Sequence, residues 1–255
     1  MRAMPIRHAA SGSGDTIISI SRSRSLRALV HDPGGLPNEE RIQDAQFKIR
    51  LANTEGRRSK ASFLIRRQYA WRGYRISAQS GVAANRIILA AFNEEQSVAT
   101  IAVNIDSEGG LGIEVLYPDE VKALRRLGCA LCEFTKLAVD NVVRSKAVLA
   151  AIFHIAYIYA HRIQHCTDLL IEVNPRHVRF YEAMLGFKKC GRERTDRRVN
   201  APALPLRLEL SHAEAQIARW GGHAELADKM RLLYPYFFSA QEEQGIEGRL
   251  RSMGT

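Results

Sequence analysis

The apolar positions fall into two periods. Phe47-Lys-Ile-Arg-Leu-Ala52 alternates, as a half-buried strand does, and Arg86–Phe92 and Ser97–Ile105 are strand-like runs around the polar turn Asn93-Glu-Glu-Gln96, which predicts a hairpin. Leu131–Val139, Asp168–Val173 and Ala203–Leu210 add three more strands. Between them the spacing turns helical. Asn53 or Thr54 caps a helix running to Tyr69, and Pro118 opens one over Asp119–Leu127 that stops at Gly128. Lys146–Arg162 is apolar almost all round and must be buried on several sides. A short helix follows Pro175, with Val178, Tyr181 and Leu185 on one face and Gly186 as its left-handed cap. The helix between 131–139 and 168–174 makes those two strands parallel neighbours.

These elements predict an α/β (α+β) domain over residues 45–210, a mixed sheet flanked by helices. Residues 211–255 read as an added helical segment, broken at Gly221-Gly222 and Pro235, with capping boxes at Ser211-His-Ala-Glu214 and Ser239-Ala-Gln-Glu242. Residues 1–44 hold the Ser/Arg tract Ser19–Ser25 and the breaker cluster Asp32-Pro-Gly-Gly-Leu-Pro37, and read as a disordered basic leader.

Charge changes the picture more than composition does. Lys and Arg number 37 against 27 Asp and Glu, a net +10, which calls for an anionic partner of some kind. The predicted first helix carries Arg57, Arg58, Lys60, Arg66 and Arg67 and ends in the aromatic cluster Tyr69–Tyr74, either a solvated face or a docking surface for an acidic protein. The four cysteines suggest no disulfide framework; Cys129-Ala-Leu-Cys132 lacks a second pair, so no metal site is expected. No signal peptide is evident, and the longest apolar run, Ala147–Tyr159, is too short to span a bilayer, which makes cytoplasmic the expected location.

One stretch carries more than a core pattern. A buried strand feeds a helix through the polar Asn174, and Tyr181 lies two turns along that helix, before Gly186-Phe187. This arrangement after a parallel strand resembles the GCN5-related N-acyltransferase fold. The resemblance implies that the two central parallel strands splay apart and admit the pantetheine arm of an acyl thioester. Asn174 would then bond the pantetheine amides, and Tyr181 would protonate the departing thiolate, a role that suits a phenol with a pKa near ~10. Acetyl-CoA members of that family place a glycine-rich loop after the preceding strand; here the connector is Asp140-Asn-Val-Val-Arg-Ser145, without glycine. A single phosphate could be held by Arg144, Ser145 and Lys146 at a helix start. That favours the acyl-phosphopantetheine of acyl carrier protein over acyl-CoA, with no tightly bound cofactor, and gives the positive charge an acidic partner.

Glu133-Phe-Thr-Lys136 resembles the Glu-x-x-Arg pattern of acyl-homoserine-lactone synthases, with Lys for Arg. Together with Asp140, the apolar helix and Asn174–Tyr181 it most resembles FeeM-type N-acyl amino acid synthases, across roughly Phe47–Leu210. That resemblance implies transfer of a long fatty acyl chain from acyl carrier protein to the α-amine of an amino acid, tyrosine in the best-known case, with a product that partitions to membrane. Glu133 is the candidate base for the amine and Glu172 its rival; a Glu133–Lys136 salt bridge is the bland alternative, and needs a bulged strand because positions three apart face opposite ways. Lys136, Arg176 or Arg179 would hold the acceptor carboxylate. His154 and His161 read as satisfied core or rim residues. The competing readings are an acetyl-CoA N-acetyltransferase, an acyl-homoserine-lactone synthase and a basic nucleic-acid-binding protein; nucleic acid is not the expected partner.

Overall fold

The computed structural model describes residues 15–21, 46–70, 85–140 and 146–254. Nine strands are present among them: β1 (Thr16–Ser21), β2 (Gln46–Leu51), β3 (Arg86–Asn93), β4 (Gln96–Ile105), β5 (Leu131–Val139), β6 (Asp168–Val173), β7 (Lys188–Lys189), β8 (Arg194–Asp196) and β9 (Ala201–Glu209). The sheet order is β1-β2-β3-β4-β5-β6-β9-β7, with β8 on β9. All pairings are antiparallel except β5 with β6. The helices are α1 (Glu55–Ala70), α2 (Pro118–Arg126), α3 (Lys146–Tyr157), α4 (Pro175–Leu185), α5 (Leu210–Trp220), α6 (Ala227–Met230) and α7 (Ala240–Ser252).

Alternation along the strands divides the helices between two faces. Cys132, Phe134, Leu169 and Ile171 point into the large core with α3, α4, α5 and α7. Leu131 and Leu170 point the other way, to Tyr117, Val121 and Leu124 around α2, and Ala138 meets Leu64 and Ile65 of α1. The uniform apolarity of α3 is explained by its position: Val148 and every residue from Ala150 to Tyr157 are buried. Its end widens into a π-turn over Ile158–Ile163, with Gln164 N–H donating to Tyr159 O at 3.0 Å.

Some expectations change. Thr16–Ser21, placed in a leader without order, forms β1 and pairs with β2, and Ile17 is wholly buried. A strand of alternating apolar residues can be ordered by a sheet edge that composition does not reveal. The rest of the Ser/Arg tract and the cluster from Trp71 to Tyr74 lie outside the described residues. The capping box at Ser239 forms, with Glu242 bonding back to Ser239 N–H at 2.9 Å. The one at Ser211 does not, because β9 runs directly into α5 at Leu210, with Glu209 at the N-cap position. The C-terminal segment packs on the core through a buried polar joint. His154, fully buried, stacks on Phe237 and Phe238 and bonds Glu243 and the Phe238 N–H, while Arg162 reaches both Glu214 and Glu243.

Candidate active site

β5 and β6 pair over only three residues: Leu131 with Asp168, Cys132 with Leu169, and Glu133 with Leu170. Beyond Glu133 they diverge, β5 continuing to Val139 beside β4 and β6 to Val173 beside β9. Glu133 therefore stands at the apex of an opening in the sheet, on the face of α1 and α2.

Glu133 is 2% exposed. Its Oε2 accepts from Gly112 N–H at 2.9 Å and Asn104 Nδ2 at 3.2 Å. Gly112 opens a 3-10 turn, Gly112–Val115, laid over the carboxylate. A Cβ there would lie 3.2 and 3.3 Å from the two Glu133 oxygens, so a side chain would crowd the group that the backbone amide holds. Burial raises the Glu133 pKa; the Gly112 amide, Asn104 and the more distant Arg86 charge only partly offset it. The result is a held carboxylate with increased proton affinity.

Glu172, the rival base, lies on β6 two residues past the last pairing and on the same face as Glu133. Burial raises its pKa to about 7, with Arg198 opposing and Asp196 and Glu133 adding to the rise. Arg198, in the turn before β9, grips it with Nη2 3.1 and 3.2 Å from its two oxygens, and also bonds Asp196 and the Gly112 carbonyl. One guanidinium thus ties the turn covering Glu133 to the strand carrying Glu172. The sequence reading missed Arg198, since nothing in an Arg-rich polar loop singles it out.

Lys136 does not pair with Glu133. It has φ +54°, a left-handed conformation, at a bulge where Thr100 and Ala102 of β4 oppose Ala138 and Thr135. The bulge is present, yet no ion pair links the two among the described residues. Burial lowers the Lys136 pKa and the Arg86 charge lowers it further.

The other half of the predicted site lies across the sheet. Tyr181 on α4 packs edge-on against Phe153 of α3 and Phe187, at 6.5 and 5.6 Å between ring centres. Phe134 of β5 adds to that wall, 6.3 Å from Phe153. Tyr181 and Glu133 thus approach the opening from opposite faces. Asn174 is the N-cap of α4: its Oδ1 accepts from Arg176 N–H at 3.2 Å, and its Nδ2 donates to Pro202 O at 3.3 Å. Gly186, φ +79°, closes the same helix. Arg176 and Arg179 are exposed on α4, and Arg176 Nε bonds His177, so the fold does not bring them to Glu133. Lys146 is the first residue of α3, while Arg144 and Ser145 lie outside the described residues. Of the α1 cations, Arg57 pairs with Asp15, Lys60 with Glu95 and Arg67 with Asp140. No cluster with metal-site composition occurs among the described residues.

Residues 60–209 match the family model for the N-acyl amino acid synthase FeeM. The chain belongs to the FeeM N-acyl amino acid synthase family. The structure of FeeM, an N-acyl amino acid synthase from uncultured soil microbes, is similar at 27% identity and a TM-score of 0.60, over 67% of this chain and 95% of that one. Looser matches are the acyl-homoserine-lactone synthase LasI, 11% identical with a TM-score of 0.47 over 65% of this chain and 91% of that one, and Escherichia coli ElaA, 8% identical with a TM-score of 0.48 over 64% and 99%. No curated protein matches the chain. This family member has the GCN5-related N-acyltransferase-like mixed sheet flanked by helices and is an N-acyltransferase. No helix among its described residues is long and apolar enough to cross a membrane.

Proposed function

We propose that the enzyme transfers a long-chain fatty acyl group from the phosphopantetheine thioester of acyl carrier protein to the α-amine of an amino acid, tyrosine being the first acceptor to test. The observation that carries this reading is the end of β5–β6 pairing directly after Glu133, with a held carboxylate on one face of the sheet and the helix that bears the Tyr181 phenol on the other. The thioester arm enters from the Tyr181 side and the amine from the Glu133 side. Glu133, directly or through a water, takes a proton from the acceptor nitrogen, and the nitrogen lone pair forms the C–N bond at the thioester carbonyl. When the tetrahedral adduct collapses, the C–S bond breaks and Tyr181 gives its proton to the departing thiolate. Glu172 is the second carboxylate on the amine side; its pKa of about 7 suits proton transfer near neutrality. Asn174 contributes by fixing the start of α4, with its amide at the end of β6 beside the arm. Lys146, with Arg144 and Ser145, would meet the donor's phosphate at the start of α3.

Phe134, Phe153 and Phe187 give the acyl chain an apolar wall on the thiolate side. The missing glycines of the 140–145 connector favour acyl carrier protein over acyl-CoA, since a pyrophosphate needs several closely approaching backbone amides. The test is mass spectrometry of products formed by purified protein, acyl carrier protein charged with fatty acid, and an amino-acid mixture. Long-chain N-acyl amino acids are the expected product; acetylated amines alone, or no transfer, would defeat the reading.

A further inference from the structure

Crossing the sheet from β3 to β5, Arg86 opposes Asn104 and Asn104 opposes Glu133, so three side chains stand in a row on one face. They are linked head to tail. Arg86 Nε donates to Asn104 Oδ1 at 2.6 Å, and Asn104 Nδ2 donates to Glu133 Oε2 at 3.2 Å. The Arg86 guanidinium thus reaches over β4, about one strand spacing (~4.8 Å) from the column that carries Glu133.

Elsewhere among the described residues several arginines hold carboxylates, while the partly buried Arg50 and Arg58 bond a hydroxyl and a backbone carbonyl. Arg125 holds Asp106 and Glu114, Arg162 holds Glu214 and Glu243, Arg198 holds Asp196 and Glu172, and Arg207 holds Asp168. Arg86 and Lys136 are also partly buried, but neither has a carboxylate within ion-pair distance among the described residues. Asn104 Nδ2 also donates to Thr135 Oγ1 at 3.4 Å, so the residue before Lys136 on β5 and the Arg86 guanidinium share one asparagine, and the Arg86 charge lowers the Lys136 pKa. Two half-buried cations beside each other repel, and the second sits on a left-handed residue. An anion between them removes the repulsion. Arginine offers a flat fork that matches a carboxylate bidentately, and lysine adds a point charge.

We propose that Arg86 and Lys136 form the subsite for the acceptor's carboxylate, which turns its amine toward Glu133. This rests on the reading of the enzyme as one that acylates amino acids. A single carbon separates the carboxylate from the amine in an α-amino acid, which suits the short step from the Arg86 head to the Glu133 column. Asn104 then has two jobs, orienting the guanidinium with its oxygen and the base with its nitrogen.

The test compares binding of a long-chain N-acyl amino acid and its neutral carboxamide, by titration calorimetry, to wild type, Arg86→Gln and Lys136→Met. Wild type should bind the acid at least tenfold more tightly than the amide, and each variant should lose most of that preference. Arg86→Gln should also raise the KM for the amino acid at least tenfold without changing the KM of the acyl donor. Arg86→Lys, which keeps the charge, should retain part of the preference, and thermal melting checks that all variants fold. Equal binding of acid and amide by wild type, no binding of either, or a preference that survives Arg86→Gln overturns the subsite. Acyl transfer to amino acids by a wild type that does not discriminate would sink the subsite alone. A clear preference for the acid in a protein that acylates no amino acid would keep the subsite and sink the transfer reading.

Discussion

Replacing Glu133 by Gln is the sharpest perturbation of the proposed chemistry, because its chemical and structural effects have opposite signs. Gln preserves the volume and leaves one oxygen to accept from Gly112 N–H and Asn104 Nδ2, but it cannot take a proton. Loss of a general base typically costs about 10²–10⁴ in rate, or about 3–5 kcal/mol of transition-state stabilisation. The carboxylate is buried with a raised pKa, so its charged form is disfavoured by the fold above the ordinary carboxylate range. The sign follows from proton counting. Native protein binds more protons than unfolded chain between the two pKa values, so stability falls as pH rises through that window. The neutral amide escapes this penalty, and Glu133→Gln should melt no lower than wild type at pH 8. The assay is kcat at saturating acyl donor and amine from pH 6 to 10, beside thermal melting of both proteins. We expect at least a hundredfold loss of kcat at pH 7, narrowing as pH rises and solvent deprotonates the amine. Turnover within threefold of wild type at pH 7 would refute the role of Glu133. A loss accompanied by a large drop in melting temperature would refute the claim that the charge is held against the fold's preference.

Two further predictions follow from buried acids. Glu172, with a pKa of about 7, should make kcat/KM fall as pH drops through neutrality, and Glu172→Gln should move that acid limb to lower pH by removing a carboxylate next to Glu133; an unchanged limb would exclude Glu172 from the titrating pair. Glu243 bonds His154 and Arg162 at the joint between α3 and the C-terminal helix, so Glu243→Gln should cost roughly 2–3 kcal/mol and lower the melting temperature by roughly 4–10 °C with transfer at 20 °C retained; a shift under 1 °C would show that the joint does not hold α7.

The local half of this protein was written in the sequence. Periodicity marks the β3–β4 hairpin, the parallel β5–β6 pair and the all-apolar α3, since each follows from which side chains need burial. Pro175 and Gly186 mark the ends of α4 because their backbone preferences are local. The motif from Glu133 to Phe187 supplied the family, which the match over residues 60–209 bears out. What the chain order could not contain is who stands opposite whom. Arg86 and Glu133 are two strands apart in space and far apart in sequence, and only the register through Asn104 aligns them. The same holds for Gly112, whose amide holds Glu133, and for Arg198, one of several arginines in a polar loop until Glu172 is beside it. Lys136 had to be placed by a bulge, and Thr16–Ser21 ordered by a sheet edge, both products of pairing between distant segments. Sequence fixes what each residue can do; burial and strand register, which arise only when distant segments meet, decide what it is paired with and how strongly it holds a proton.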